Sequence, residues 1–192
     1  YEVGKGQPPQ TPEIRALKPF TSCDLKNSTW SPFFEGKHIE KFRTTWANNC
    51  FVKYGPWLAA PRNPTQFLGP KCFVRKIVGE TLIGCYVPYD CYCNTLLFVI
   101  KATDESKLSD ATILGLLTSR TLGWYFRKHF QISEEDTFPQ IMARDIIQFP
   151  IPNIDIEADE LIGKLVILVH QAIGLDASVS WFLEKLIDAC VM

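Results

Sequence analysis

The sequence predicts an α+β fold: a twisted, mainly antiparallel sheet with a long helix, followed by a C-terminal helical hairpin. Three observations carry this expectation. Strand-like runs crowd residues 51–101, with alternation at Lys71–Val78 and a continuous apolar run at Leu96–Ile100. Past Ser109 the apolar spacing becomes that of a helix. From residue 153 onward, two helical segments flank Gly174. The 192 residues suit one domain, or one domain with a small appendage. The expected division is 1–152 for the main domain and 153–192 for the helical hairpin.

In chain order, Tyr1–Pro19 is rich in glycine and proline and reads as extended or loop structure. A chain opening on Tyr1 rather than methionine is expected of a piece cut from a longer polypeptide. Phe51–Tyr54 reads as a short strand stopped by Gly55-Pro56. Pro61–Pro64 is a turn, with a single helical turn expected at Thr65–Leu68. Lys71–Val78 and Thr81–Val87 read as a strand pair turning at Gly79-Glu80. Asn94–Lys101 has the continuous apolar character expected of a central strand. Ser109 and Asp110 cap a helix running toward Phe130, and Thr137–Ile141 is a further short strand. Asp155–Val169 and Ser178–Val191 are the hairpin helices, the first carrying Glu157, Asp159 and Glu160 near its positive end.

With 46% hydrophobic and 21% charged residues, the composition is that of a folded domain, not a disordered chain. The longest strongly apolar stretch, Leu161–Leu175, contains Lys164, His170 and Gln171, so it reads as a packed helix and no membrane contact is expected. The polar, proline-rich opening is unlike a signal peptide, and a cytoplasmic location is expected. Seven cysteines at scattered positions, with no Cys-x-x-Cys pair, read as small buried hydrophobes; Cys91 and Cys93 lack a neighbouring histidine to complete a zinc site.

Charge is unevenly spread. Residues 1–101 carry 13 Lys and Arg against 7 Asp and Glu, a net of +6, whereas residues 102–192 carry 7 against 14, a net of −7. Within 37–76 the net is +7, and Phe42, Trp46, Phe51, Tyr54, Trp57, Phe67 and Phe73 interleave with the cations. Such a zone suits a phosphate backbone, where cations gain affinity by displacing counterions. A solvated basic face over an aromatic core is the alternative.

Three groups of residues bear on an enzymatic reading. Asp24 followed by Glu35-Gly36-Lys37 matches the spacing of a Mg²⁺-dependent nuclease, in which two carboxylates hold the metal and the lysine activates water. That chemistry needs Glu-x-Lys on a buried strand, and Ser31-Pro32 with Gly36 read as a loop. The three histidines, His38, His129 and His170, are scattered; His170 reads as a packing residue with one satisfied nitrogen. Gly4-Lys5-Gly6 precedes prolines and no helix, so it is not a nucleotide-binding loop.

Several ordered segments resemble a known family. These are the opening Tyr1–Thr11; Trp30–Phe42 around Gly36-Lys37-His38-Ile39; Tyr54-Gly55-Pro56-Trp57-Leu58-Ala59-Ala60-Pro61-Arg62-Asn63-Pro64; Gly69–Arg75; Cys93-Asn94; Leu116–Arg120; and Phe149-Pro150-Ile151-Pro152. In this order they resemble the TaqI-like C-terminal specificity domain over roughly residues 1–152. The chain departs from the family in two places, having His38 where Asp is usual and Thr118 where Asn is usual. The resemblance implies a target-recognition domain that grips duplex DNA beside the catalytic domain of an adenine-specific DNA methyltransferase, sometimes also fused to a nuclease. S-adenosylmethionine would then belong to that catalytic domain, and no cofactor, metal or catalytic residue is expected in this chain. No Asn-Pro-Pro-Tyr motif and no glycine-rich strand–loop–helix segment occurs in it.

On this footing the expected DNA contacts are Lys53, Tyr54, Arg62, Lys71, Arg75 and Lys76, with Arg120, Arg127 and Lys128 on the helix. Asn63, Gln66 and Asn94 are base-reading candidates by residue type. The acidic half and its hairpin suit a second task, assembly with another domain or subunit.

Overall fold

The computed structural model describes residues 11–58, 61–130, 140–173 and 175–191. Along these the chain forms α1 (Pro12–Leu17), β1 (Thr21–Ser22), β2 (Ser31–Phe34), β3 (Ile39–Glu40), β4 (Arg43–Thr44), β5 (Phe51–Val52), β6 (Lys71–Arg75), β7 (Gly84–Val87), β8 (Tyr92–Cys93), β9 (Leu97–Ile100), α2 (Asp110–Thr118), α3 (Arg120–His129), α4 (Ala143–Ile146), α5 (Ile156–Ala172) and α6 (Ala177–Val191). The class is α+β, mainly antiparallel, with a C-terminal helical pair, as the sequence predicts.

One three-stranded antiparallel sheet, in the order β7-β6-β9, divides the molecule. Its side chains alternate between two cores, as pleating requires. On one side Cys72 and Val74 of β6 pack with Leu114, Leu117, Phe126, Ile162 and Val166 from the helices. On the other, Phe73 packs with Phe34, Ile39, Cys85 and Leu97. A second sheet, β1-β5-β2-β8, lies beyond that core; its pairs are antiparallel except β2 with β8, which is parallel. Its own small cluster is built on Phe33, Val52 and Leu58.

Four details differ from the sequence expectation. First, β9 lies at the edge of its sheet and β6 in the middle. The apolar run of β9 reflects coverage on both faces: Leu97 and Val99 meet one core, Phe98 and Ile100 the other. Second, the helix expected over 109–130 is two helices. Ser119 has extended backbone (φ −65°, ψ 154°), and its hydroxyl donates to the Leu116 carbonyl (2.7 Å) while accepting from the Leu122 amide (3.2 Å). One serine thus closes α2 and opens α3. Third, Pro12 starts a short helix inside the expected loop, at the position where proline's missing N–H costs nothing. Fourth, Ser31-Pro32 lies in β2, not a loop; Pro32 needs no ladder donor where β2 changes partner from β5 to β8. Of the strand expected at Thr137–Ile141, residues 137–139 fall outside the described ones; Gln140 makes an isolated bridge to Ile77.

Helices α5 and α6 are built into the larger core, since Ile162, Leu165, Val166, Val169 and Ile187 pack with Leu114 and Leu117. Gly115 sets this distance: a Cβ there would lie 2.9 Å from Val166 Cγ2 and 3.0 Å from Ile162 Cγ2. Asp155 caps α5 by accepting from the Ala158 amide (2.8 Å). The β3–β4 hairpin reaches the same region through Phe42, buried at φ 62°, whose carbonyl accepts from Nδ1 of His170 (2.8 Å). His170 is therefore the packing residue its apolar helix suggests, with its tautomer set by that carbonyl. Lys41 pairs with Glu184 (3.1 Å) beside this contact.

Candidate nucleic-acid interface

The residues that meet in one place are those around β5 and the turn after it. Phe51-Val52 pairs with β1 and β2 and is buried, so the following Lys53 and Tyr54 leave the sheet at its rim. Gly55-Pro56 reverses the chain, and Trp57 folds back so that its Nε1 donates to the Lys53 carbonyl (2.8 Å). A Cβ at Gly55 would lie 2.4 Å from the Trp57 ring, which is why this turn needs glycine. Trp57 stacks on Phe20 (6.0 Å between centroids), and the Lys53 ammonium sits 5.2 Å from the Trp57 ring centroid.

Tyr54 turns inward. Its ring stacks on Tyr92 of β8 at 4.0 Å and 13° and packs against Phe67. Its hydroxyl donates to the Arg62 carbonyl (2.8 Å) and accepts from the Arg62 amide (2.6 Å). Burial pushes the Tyr54 phenol above its ordinary range. Asn63 spends its side chain locally, accepting from the Thr65 amide (3.1 Å) and hydroxyl (2.9 Å) to cap the 3₁₀ turn Pro64–Phe67. Beyond it, Gln66 is exposed.

These elements frame an open cleft of about 1100 Å³, whose walls include Phe20, Phe33, Tyr54, Arg62, Phe67 and Asn94. Lys18 and Lys37 also reach it, with Glu35. Asn94 follows β8, its amide donating to the Phe34 carbonyl (2.9 Å) and its Oδ1 accepting from the Leu96 amide (3.1 Å). Aromatic and aliphatic walls with a few converging polar groups suit a planar, polar-edged ligand better than a bare phosphate.

Of the expected contacts, the structure gathers Tyr54, Arg62 and Asn94 at the cleft, while Lys53 lies half-buried beside Trp57, outside the cleft lining. Lys71 is a correction: it is fully buried, and its ammonium donates to the carbonyls of Gly69 (2.7 Å) and Tyr89 (2.6 Å). Burial pulls its pKa down, and it cannot reach a DNA backbone. Arg75 is half-buried at the end of β6. Lys76 rests 5.5 Å from the Phe98 ring centroid. Arg120 faces Asp188 of α6 (3.6 Å), in a hollow of about 270 Å³ that also takes in Lys41 and Glu184. Arg127 and Lys128 occupy the last turn of α3, where cations offset the helix dipole.

The Asp24, Glu35, Lys37 pattern does not assemble as a nuclease site. Glu35 follows β2 directly, but its carboxylate is bound by Lys37 (2.6 Å), on a 3₁₀ turn and largely exposed. Among the described residues no three His, Cys, Asp or Glu side chains come together to hold a metal ion. At His38, Nδ1 accepts from the Glu35 amide (3.1 Å), and burial lowers the ring's pKa. An aspartate here would accept the same hydrogen bond, so the departure at this position preserves the turn. The departure at Thr118 is also accommodated: its buried hydroxyl donates to the Leu114 carbonyl (2.8 Å).

Cys72, Cys85 and Cys91 are buried in or beside strands, and burial pushes the Cys91 thiol up to about 11. Cys23 and Cys190 are exposed, contrary to the reading of all seven as buried.

Sequence reasoning missed Lys18 and Phe20 as parts of this region. The interleaving of cations and aromatics pointed to the zone, but nothing in the spacing placed Phe20 against Trp57. No helix among the described residues is long and apolar enough to cross a membrane. A family model described as TaqI-like C-terminal specificity domain matches residues 31–151, from β2 to just before α5. No curated protein matches the chain.

Proposed function

The chain belongs to the TaqI-like C-terminal specificity domain family, and from that premise we propose that it binds double-stranded DNA sequence-specifically, as the target-recognition domain of a restriction–modification DNA methyltransferase. One observation supports this above the others. Arg62 and Asn94, side chains suited to base edges, wall one cleft that Lys18 and Lys37 also line. The methyl donor, S-adenosylmethionine, would be held by a catalytic domain of the same polypeptide, and the working place would be the cytoplasm. Lys53 contributes to phosphate binding on this reading, and Lys71 does not.

Fluorescence anisotropy of labelled duplexes across a salt series tests it. Lys53→Ala is expected to weaken binding to all sequences alike and to reduce the slope of log affinity against log salt by about one unit. An unchanged slope removes Lys53 from the interface, and no duplex binding by the wild-type chain removes the reading itself.

A second task is favoured by a separate surface. Leu161 and Leu168 of α5, with Val179 and Phe182 of α6, are exposed large apolar side chains on the C-terminal pair. A truncation at Asn153 would strip Ile162, Val166 and Ile187 from the core, so it cannot isolate this task. Surface substitutions can. The double variant Leu168→Asp, Phe182→Asp is expected to keep its melting temperature and DNA affinity while losing association with a separately expressed catalytic domain. Retained association assigns the hairpin to the core alone.

A further inference from the structure

We propose that Arg62 and Asn94 are the base-reading side chains of this domain, Arg62 for a guanine and Asn94 for an adenine at neighbouring positions, and that Tyr54 is the positioning residue that holds Arg62. This rests on the DNA-recognition reading above and specifies its site.

The two residues come from distant parts of the chain and reach the same cleft, Arg62 from the turn after β5 and Asn94 from the end of β8. Their proximity has an electrostatic trace. The thiol of Cys93, next to Asn94, is pushed up to about 12 by burial, and Arg62 is the first charge acting against that rise. Arg62 makes no ion pair among the described residues. Bidentate donation to guanine O6 and N7 is the commonest specific use of a guanidinium fork. Asn94 gives one Oδ1 lone pair to the Leu96 amide, which fixes the orientation of its side-chain amide. The second lone pair and the Nδ2 donors remain, which is the acceptor–donor pair that adenine N6 and N7 require. The other amide candidates lack this arrangement. Asn63 is occupied as a cap, and Gln66 lies on the exposed turn, outside the cleft lining.

Base reading needs side chains held to a fraction of an ångström, and Tyr54 supplies that restraint. Its hydroxyl takes both backbone groups of Arg62, while its ring is fixed by the stack on Tyr92, whose strand is paired with β2. The position of the Arg62 backbone is thereby tied to the second sheet instead of to a free loop.

The test is selection of bound duplexes from a randomised library by the whole chain, followed by sequencing. Wild type is expected to enrich a motif. Arg62→Lys keeps the charge but not the planar fork, so guanine preference should fall roughly ten-fold or more at one position. Asn94→Asp keeps the acceptor for Leu96 and loses the donors. It should abolish adenine preference at one position and shift it toward cytosine, whose N4 amino group donates. Tyr54→Phe keeps the stack and loses the clamp, and should relax the Arg62 position while leaving the Asn94 position intact. Lys164→Ala, on the exposed face of α5 and outside the cleft lining, should leave the whole motif unchanged. If the motif survives in Arg62→Lys and Asn94→Asp, the assignment of readers is overturned. If Tyr54→Phe lowers the melting temperature with the motif intact, Tyr54 is structural and its positioning role is overturned. If wild type binds DNA without enriching a motif, this inference fails while DNA binding stands; if it binds no duplex, the underlying reading fails with it.

Discussion

Phe34→Ala is expected to destabilise the protein by about 3–5 kcal/mol, read as a shift in a urea or thermal unfolding transition. The residue is fully buried at the end of β2, where it touches the rings of Trp46 (5.3 Å), Phe73 (5.5 Å) and His38 (6.4 Å). Those partners belong to different units: Phe73 to the central strand of one sheet, His38 to the turn leading into β3, and Trp46 to the loop before β5. Removing the ring loses the transfer term for a large apolar side chain and opens a cavity bounded by three aromatic rings that cannot all move inward. The backbone of Phe34 also accepts from the Asn94 amide, so relaxation around the cavity would reach the cleft wall. A loss below about 1.5 kcal/mol, the range of a well-tolerated core swap, would mean that the interface between the two sheets is softer than the packing indicates.

Lys71→Ala is the second large effect, at about 2–4 kcal/mol, because the fully buried aliphatic stem leaves a cavity and the Gly69 and Tyr89 carbonyls lose a charged donor. Lys71 starts β6 with its ammonium enclosed and donating to Gly69 and Tyr89. That bond set ties the turn before β6 to the loop after β7, and Asp90 reinforces it by accepting from the Gly69 amide (2.6 Å). Lys71→Met should lose less than Lys71→Ala, since it fills the same volume and removes a charge that is costly to bury. Neither variant should alter the salt slope of DNA binding, in contrast to Lys53→Ala. A reduced slope in Lys71→Met at unchanged stability would return Lys71 to the interface.

The contrast between Lys53 and Lys71 marks how far the sequence could be read. Both are lysines beside aromatic residues in the same basic zone. Composition treats them alike, because it records charge and not which way a strand residue points. Lys71 is enclosed where β6 pairs with β7 and its ammonium meets the Gly69 and Tyr89 carbonyls, while Lys53 follows β5 and stays half-buried beside Trp57. The division of the helix at Ser119 was hidden for a similar reason. The apolar spacing continues through the break, so periodicity sees one helix, and a serine that serves as two caps leaves no sequence signal different from one exposed serine.

What the sequence by itself determined is the class and the inventory: strand-like alternation followed by helical spacing, hence α+β; a cationic, aromatic-rich zone at residues 37–76; and an ordered set of motifs that resembles one family. Those properties are local, set by propensity, periodicity and charge within a few residues. The tertiary structure decided which of those side chains meet. Arg62 and Asn94 are 32 positions apart in sequence and share a cleft because β2 pairs with β5 on one side and with β8 on the other. That juxtaposition depends on strand order, and strand order is fixed by which faces bury one another across the whole chain.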